Sequence, residues 1–139
     1  MNIASEDTSL DASLDRLAVL LAQQPDIVLA IAFGSLPAGG ARPESDLDVA
    51  VLATRPLDKC RKMELICELA RECGRPVDLV DLRTAGVSIL RSVLLGGRSL
   101  LCRDHAAYAG LLSRMVTDSA DFLPYRQRAM RERRNAWIH

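Results

Sequence analysis

"AFGSLPAGGARPESDLDVAVL", residues 32–52, is the stretch on which the fold turns. An apolar run halts at Gly34-Ser35, ten mostly small or polar residues intervene, and apolar residues then alternate with Asp46 and Asp48. The run that ends here, "DIVLAIAF", is partly β-branched, too short for a typical helix and apolar nearly throughout, which predicts a strand buried on both faces. "DLDVAVLA", residues 46–53, predicts a second strand, ended by Thr54-Arg55-Pro56 before a helix opens. The loop between them is too short for a crossover helix of normal length, so the two strands are expected to be antiparallel neighbours.

Outward from this pair, Leu10, Leu14, Leu17 and Leu21 recur at helical spacing within residues 8–23 and end at Gln23-Gln24-Pro25. That pattern predicts an amphipathic helix. After the second strand, Cys60, Met63, Ile66, Cys67, Ala70 and Cys73 form one helical stripe closed by Gly74, where a C-terminal glycine belongs. "RPVDLVDL", residues 75–82, predicts a third strand, Val87 to Leu95 a short helix closed by Gly96-Gly97, and "SLLC" a short edge strand. From His105 onward the pattern is helical, with Pro124 interrupting it and His105 expected as a surface or capping residue. The expected architecture is α+β: a small mixed sheet of three to four strands flanked by helices. It forms a single domain over residues 1–139, with a core at about 8–102 and a helical part at about 103–139.

Lys+Arg and Asp+Glu balance at 18 each, which argues against non-specific, charge-driven nucleic-acid binding. The charge is unevenly spread: residues 1–15 carry four acids and no base, whereas "PYRQRAMRERRNAWIH" at the end carries five Arg against one Glu. No apolar run approaches a bilayer-spanning length and the N-terminus has no leader pattern, so a cytoplasmic protein with no membrane partner is expected. Cys60, Cys67, Cys73 and Cys102 lack paired spacing and read as reduced core fillers.

Asp46 and Asp48 are two apart on a strand, so both side chains project to one face with Cα atoms roughly 7 Å apart. Like charges this close need a counter-charge, and a hard divalent cation such as Mg²⁺, completed by water and phosphate oxygens, is the natural one. Gly34-Ser35 supplies a cradle for those phosphates, since glycine lets the backbone approach and the turn aims N–H groups at an anion. In "PVDLVDL" Asp78 and Asp81 are three apart and point to opposite faces. Asp78, set between Val77 and Leu79, reads as the deeper residue and the favoured third carboxylate; Asp81 is the alternative. Three carboxylates can hold two metals for in-line displacement at phosphorus.

"GS", ten residues and "DLD", followed by "PVDLVDL", resemble the G-S-x10-D-x-D signature and catalytic strands of the minimal nucleotidyltransferases of the DNA polymerase β superfamily. Short members of that family are typically antitoxins paired with HEPN-domain toxins. The resemblance implies Mg²⁺-dependent transfer of AMP from ATP to a tyrosine of a cognate HEPN-domain toxin. Asp46, Asp48 and Asp78 would be the catalytic and metal-binding residues, with Gly34 and Ser35 on the phosphates. Family members often carry a basic residue just after Gly-Ser; here Leu36, Pro37 and Ala38 follow, and Arg42 is the candidate in its place. The basic C-terminal tail, with Tyr125 and Trp137, and the active-site face are the expected partner surfaces. Two other functions compete: an antitoxin that only covers its toxin, and a nucleotidyltransferase acting on a small molecule.

Overall fold

The computed structural model describes residues 2–34 and 46–118, with side chains from residue 10 onward. The element order is α1 (Asn2–Ala22), β1 (Ile27–Phe33), β2 (Leu47–Ala53), α2 (Lys59–Cys73), β3 (Val77–Asp81), α3 (Val87–Gly96) and β4 (Arg98–Cys102). A further helix, α4, covers residues 105–118. The expectations for Ser35, Arg42, Pro124, Tyr125, Trp137 and the basic tail lie outside the described residues.

The strands form one mixed sheet in the order β3-β2-β1-β4. β1 is antiparallel to both β2 and β4, and β2 is parallel to β3 across the α2 crossover. The short connection from β1 to β2 thus has the consequence its length requires. β1 is central and buried on both faces: Ala30 and Ala32 meet Leu17 and Leu21 of α1 and Leu65 and Leu69 of α2 in one core. Leu29 and Ile31 meet Leu90 and Val93 of α3 and Leu111 and Met115 of α4 in the other. The protein is therefore a helix–sheet–helix sandwich whose central strand has no solvent face, which explains the unbroken apolar run.

Four expectations need correction. α1 reaches back to Asn2 rather than starting at residue 8, because apolar spacing locates a helix without fixing its ends. The α2 stripe is also displaced. Leu65 and Leu69 face the core, Ile66, Ala70 and Cys73 pack at its margin, and Cys60, Cys67 and Met63, 57% exposed, point away. Two leucines one turn apart bury more apolar area than the thiols and so set the rotation of the helix. Only Cys73 and Cys102 behave as partial core fillers. α2 begins not at Pro56 but after Asp58, whose carboxylate accepts the Arg61 N–H at 2.7 Å.

Arginines fasten the layers at the end of the sheet remote from Gly34. Arg103 donates to the carbonyls of Gln24 at 2.9 Å and Ile27 at 3.2 Å, and to that of Ala22. Arg114 of α4 donates to the carbonyls of Leu82 and Ala85, both at 3.0 Å. Arg61 donates to Asp26 through Nε at 2.9 Å and NH2 at 2.8 Å, tying α2 to the entry of β1. That bidentate bond holds the Asp26 carboxyl below its ordinary 3.8, against an opposing push from burial. A depressed folded-state value means that the contribution is complete above the unfolded carboxylate pKa and is lost as pH falls through the folded one. Asp26→Asn is expected to lower stability by about 0.5–1 kcal/mol at pH 7, the range for a partly exposed pair, and by progressively less below pH ~4. Urea melts of both proteins across pH 3–7 check this; a constant difference would show that the ion pair contributes nothing.

Candidate active site

β1 ends, and β2 and β3 begin, at one end of the sheet. The Leu47 N–H donates to the Pro76 carbonyl at 2.8 Å and locks the start of both parallel strands together. In that register Asp48 lies directly beside Asp78, and Phe33, the last residue of β1, lies beside Asp48 on the other flank. Asp46 immediately precedes β2 on the same parity as Asp48. Three carboxylates from two adjacent strands thus share one corner of one sheet face. Asp81 is placed apart from them. It pairs with Val51, which belongs to the opposite core, and its Oδ1 accepts the Arg83 N–H at 2.9 Å in the turn after β3.

The depths differ from expectation. Asp78 is exposed rather than deep, Asp46 is exposed, and Asp48 is the half-buried member. Asp78 lies on the edge strand β3, flanked by β2 alone, whereas Asp48 lies on β2 between β3 and β1. Burial pushes the Asp48 carboxyl above its ordinary range, and the charges of Asp78 and then Asp46 push it further the same way. All of these influences therefore favour a bound cation or a bound proton.

Gly34 completes the corner. Its φ is +86°, a left-handed conformation, and a Cβ built there would run into Asp48 Oδ2. Both properties demand glycine, and together they bring the turn after β1 onto the Asp48 carboxylate. A phosphate held by that turn would therefore lie beside the carboxylates. Sequence reasoning did not anticipate Phe33 as the neighbour of Asp48, because that placement follows from strand register alone.

The donor set is composed of carboxylate oxygens, which suits a hard cation. Among the described residues no three Asp, Glu, His or Cys side chains already form a closed cage. Magnesium does not need one, since it takes one or two carboxylates and completes its shell with water and phosphate oxygens. The residues present therefore fit such an ion. Among the described residues no helix is long and apolar enough to cross a membrane.

A mixed sheet with a glycine turn at the end of one strand and acids on the next two is the architecture of a nucleotidyltransferase. The family model "Polymerase beta, Nucleotidyltransferase" matches residues 15–106, and the chain belongs to that family. Among curated proteins it is 40% identical over 76 residues to Protein adenylyltransferase MntA of Shewanella oneidensis. That match covers 55% of this chain and 55% of the relative, so the similarity spans about half the length of each. Among solved structures, a chain of the complex described as tri-AMPylated Shewanella oneidensis HEPN toxin with MNT antitoxin superposes with a TM-score of 0.70. The two are 26% identical, with 88% of this chain and 97% of that chain covered. A toxin-antitoxin structure with AMP-PNP gives a TM-score of 0.68 at 28% identity, covering 84% of this chain and 98% of that one.

Proposed function

We propose that the protein is an antitoxin that transfers AMP from ATP to a tyrosine of a cognate HEPN-domain toxin. The observation that carries this reading is the pairing of Asp48 with Asp78 in the sheet, with Gly34 pressed against Asp48. It is supported by the family, and by relatives described as a protein adenylyltransferase and as MNT antitoxin in complex with AMPylated HEPN toxin.

Asp46 and Asp48 would hold Mg²⁺ on the nucleotide, and Asp78 would share a second ion. When bound, the ions neutralise charge on the phosphates and lower the pKa of the acceptor hydroxyl. Gly34 and Ser35 would hold the phosphates, and Arg42 would supply the positive charge that Leu36-Pro37-Ala38 do not. Asp78, which is exposed, would accept the acceptor hydroxyl's proton as that oxygen attacks the α-phosphorus and pyrophosphate leaves. The carboxylates lie at an open end of the sheet, with Asp46 and Asp78 exposed, which suits an acceptor that brings its own surface. The basic tail and the active-site face would meet that partner.

The test is the intact mass of a co-expressed HEPN-domain partner. Mass additions in AMP steps, requiring ATP and abolished by chelating divalent cations, are expected. An unmodified partner in a stable complex would replace this reading with antitoxin action by coverage alone, the alternative that Leu36-Pro37-Ala38 favours.

A further inference from the structure

We infer that a cavity on the same sheet face as the carboxylates receives the purine ring of the nucleoside triphosphate. This inference rests on the nucleotidyl-transfer reading and names the part of the chain that grips the base. The cavity measures about 200 Å³ and lies between β1, β4, α3 and the start of α4. Its lining combines the buried apolar Ile31, Val93 and Leu94 with Ser99, Cys102, His105 and Tyr108, which are less buried and carry polar groups. Neither the carboxylate chemistry nor the fold requires four polar groups around one apolar hollow.

Position follows from register. Phe33 flanks Asp48, Ile31 is the next residue of β1 on that face, and Ile31 pairs with Ser99 of β4. Strand spacing then places the Cα atoms of Ile31 and Ser99 roughly 8 Å and 12 Å from that of Asp48. This is the reach of one nucleoside from a reacting α-phosphate at the carboxylates. Gly97 forms part of the wall, and there a Cβ would collide with Ile31 Cγ2 and the Val93 and Ala32 carbonyls, so α3 turns into β4 directly against β1.

The lining selects the occupant. Among the described residues no Lys, Arg, Asp or Glu lines the cavity, so these residues offer a phosphate no charge, and an alkyl chain would leave the polar side chains unused. A purine presents two flat faces for apolar packing and a polar edge for hydrogen bonds. His105 and Tyr108, three apart on α4, stand on one side of that helix, as residues at this spacing do. Cys102 Sγ lies 3.6 Å from His105 Nδ1. These side chains can bound one flat ring.

Cys102 makes the occupancy measurable in the unaltered protein. Alkylation of each cysteine is followed by peptide mass spectrometry with Mg²⁺ and ATP, with Mg²⁺ and tripolyphosphate, or with neither. Cys60 and Cys67, exposed on α2 on the other side of the sheet, are internal controls. ATP is expected to slow Cys102 alkylation about tenfold or more, with tripolyphosphate inert and both controls unchanged. In addition Ser99→Phe, at an exposed edge-strand position, should raise KM for ATP about tenfold with little change in kcat. Equal protection by ATP and tripolyphosphate, protection by the partner protein but not by ATP, or no protection while transfer proceeds would each overturn the purine assignment and leave the transfer reading standing. Absence of both protection and transfer would overturn both.

Discussion

Asp48→Asn is expected to abolish nucleotide transfer and yet to raise the melting temperature of the cation-free protein. The first effect follows from removing the half-buried carboxylate between Asp46 and Asp78 on which a magnesium-bound phosphate would depend. Loss of one such electrostatic contact reduces turnover by on the order of a hundred- to a thousandfold. The second follows from the same geometry with the opposite sign. Burial and two neighbouring carboxylates raise the Asp48 pKa above its unfolded value, so its ionised form opposes folding and cation-free stability falls as pH rises through that folded value. Asparagine keeps the shape and removes the repulsion, and a Tm increase of about 2–4 °C in chelator is expected. Added Mg²⁺ should stabilise the wild type more than the variant, narrowing or reversing the difference. Thermal melts with and without Mg²⁺, paired with the intact-mass assay, check all three statements. Full activity in the variant would remove Asp48 from the reaction.

Gly34→Ala should lose transfer by about a hundredfold, since misplacement on the order of 1 Å near the reacting groups has that effect. Its stability should fall by about 1–3 kcal/mol. Two causes act there, the left-handed backbone and the collision of the new methyl with Asp48 Oδ2. Gly74 separates them: its φ is +69°, and a Cβ there would meet nothing within 4 Å. Gly74→Ala should therefore show only the backbone strain, about 1 kcal/mol, with transfer unchanged. If both variants lose transfer equally, the close approach of the turn to Asp48 is not what matters at Gly34. Kinetics and denaturant melts of the pair decide it.

Much of the fold was legible because its signals are local. The unbroken apolar run before Gly34 fits a strand covered on both sides best, and β1 lies at the centre of the sandwich. The short span from Gly34 to Asp46 required adjacent antiparallel strands, and Phe33 stands opposite Asp48. Where apolar residues had competing partners, local reading lost its hold. The stripe through Cys60, Met63 and Cys67 is as regular as a buried face should be, but Leu65 and Leu69 outweigh it and turn it to solvent. Asp78 read as deep because its neighbours are buried, whereas β3 is an edge strand that leaves it exposed.

From the sequence by itself came the parity of side chains along each strand, and with it the shared face of Asp46 and Asp48 and the opposition of Asp78 and Asp81. Parity is a property of an extended backbone and needs no knowledge of what lies alongside. Only the tertiary structure decided that β3 lies parallel beside β2 in the register that sets Asp78 against Asp48. It also brought Gly34 onto that carboxylate and placed Ser99, Cys102, His105 and Tyr108 around one hollow. These are choices of pairing and of buried face, made by the apolar area that α1, α2, α3 and α4 together withdraw from water.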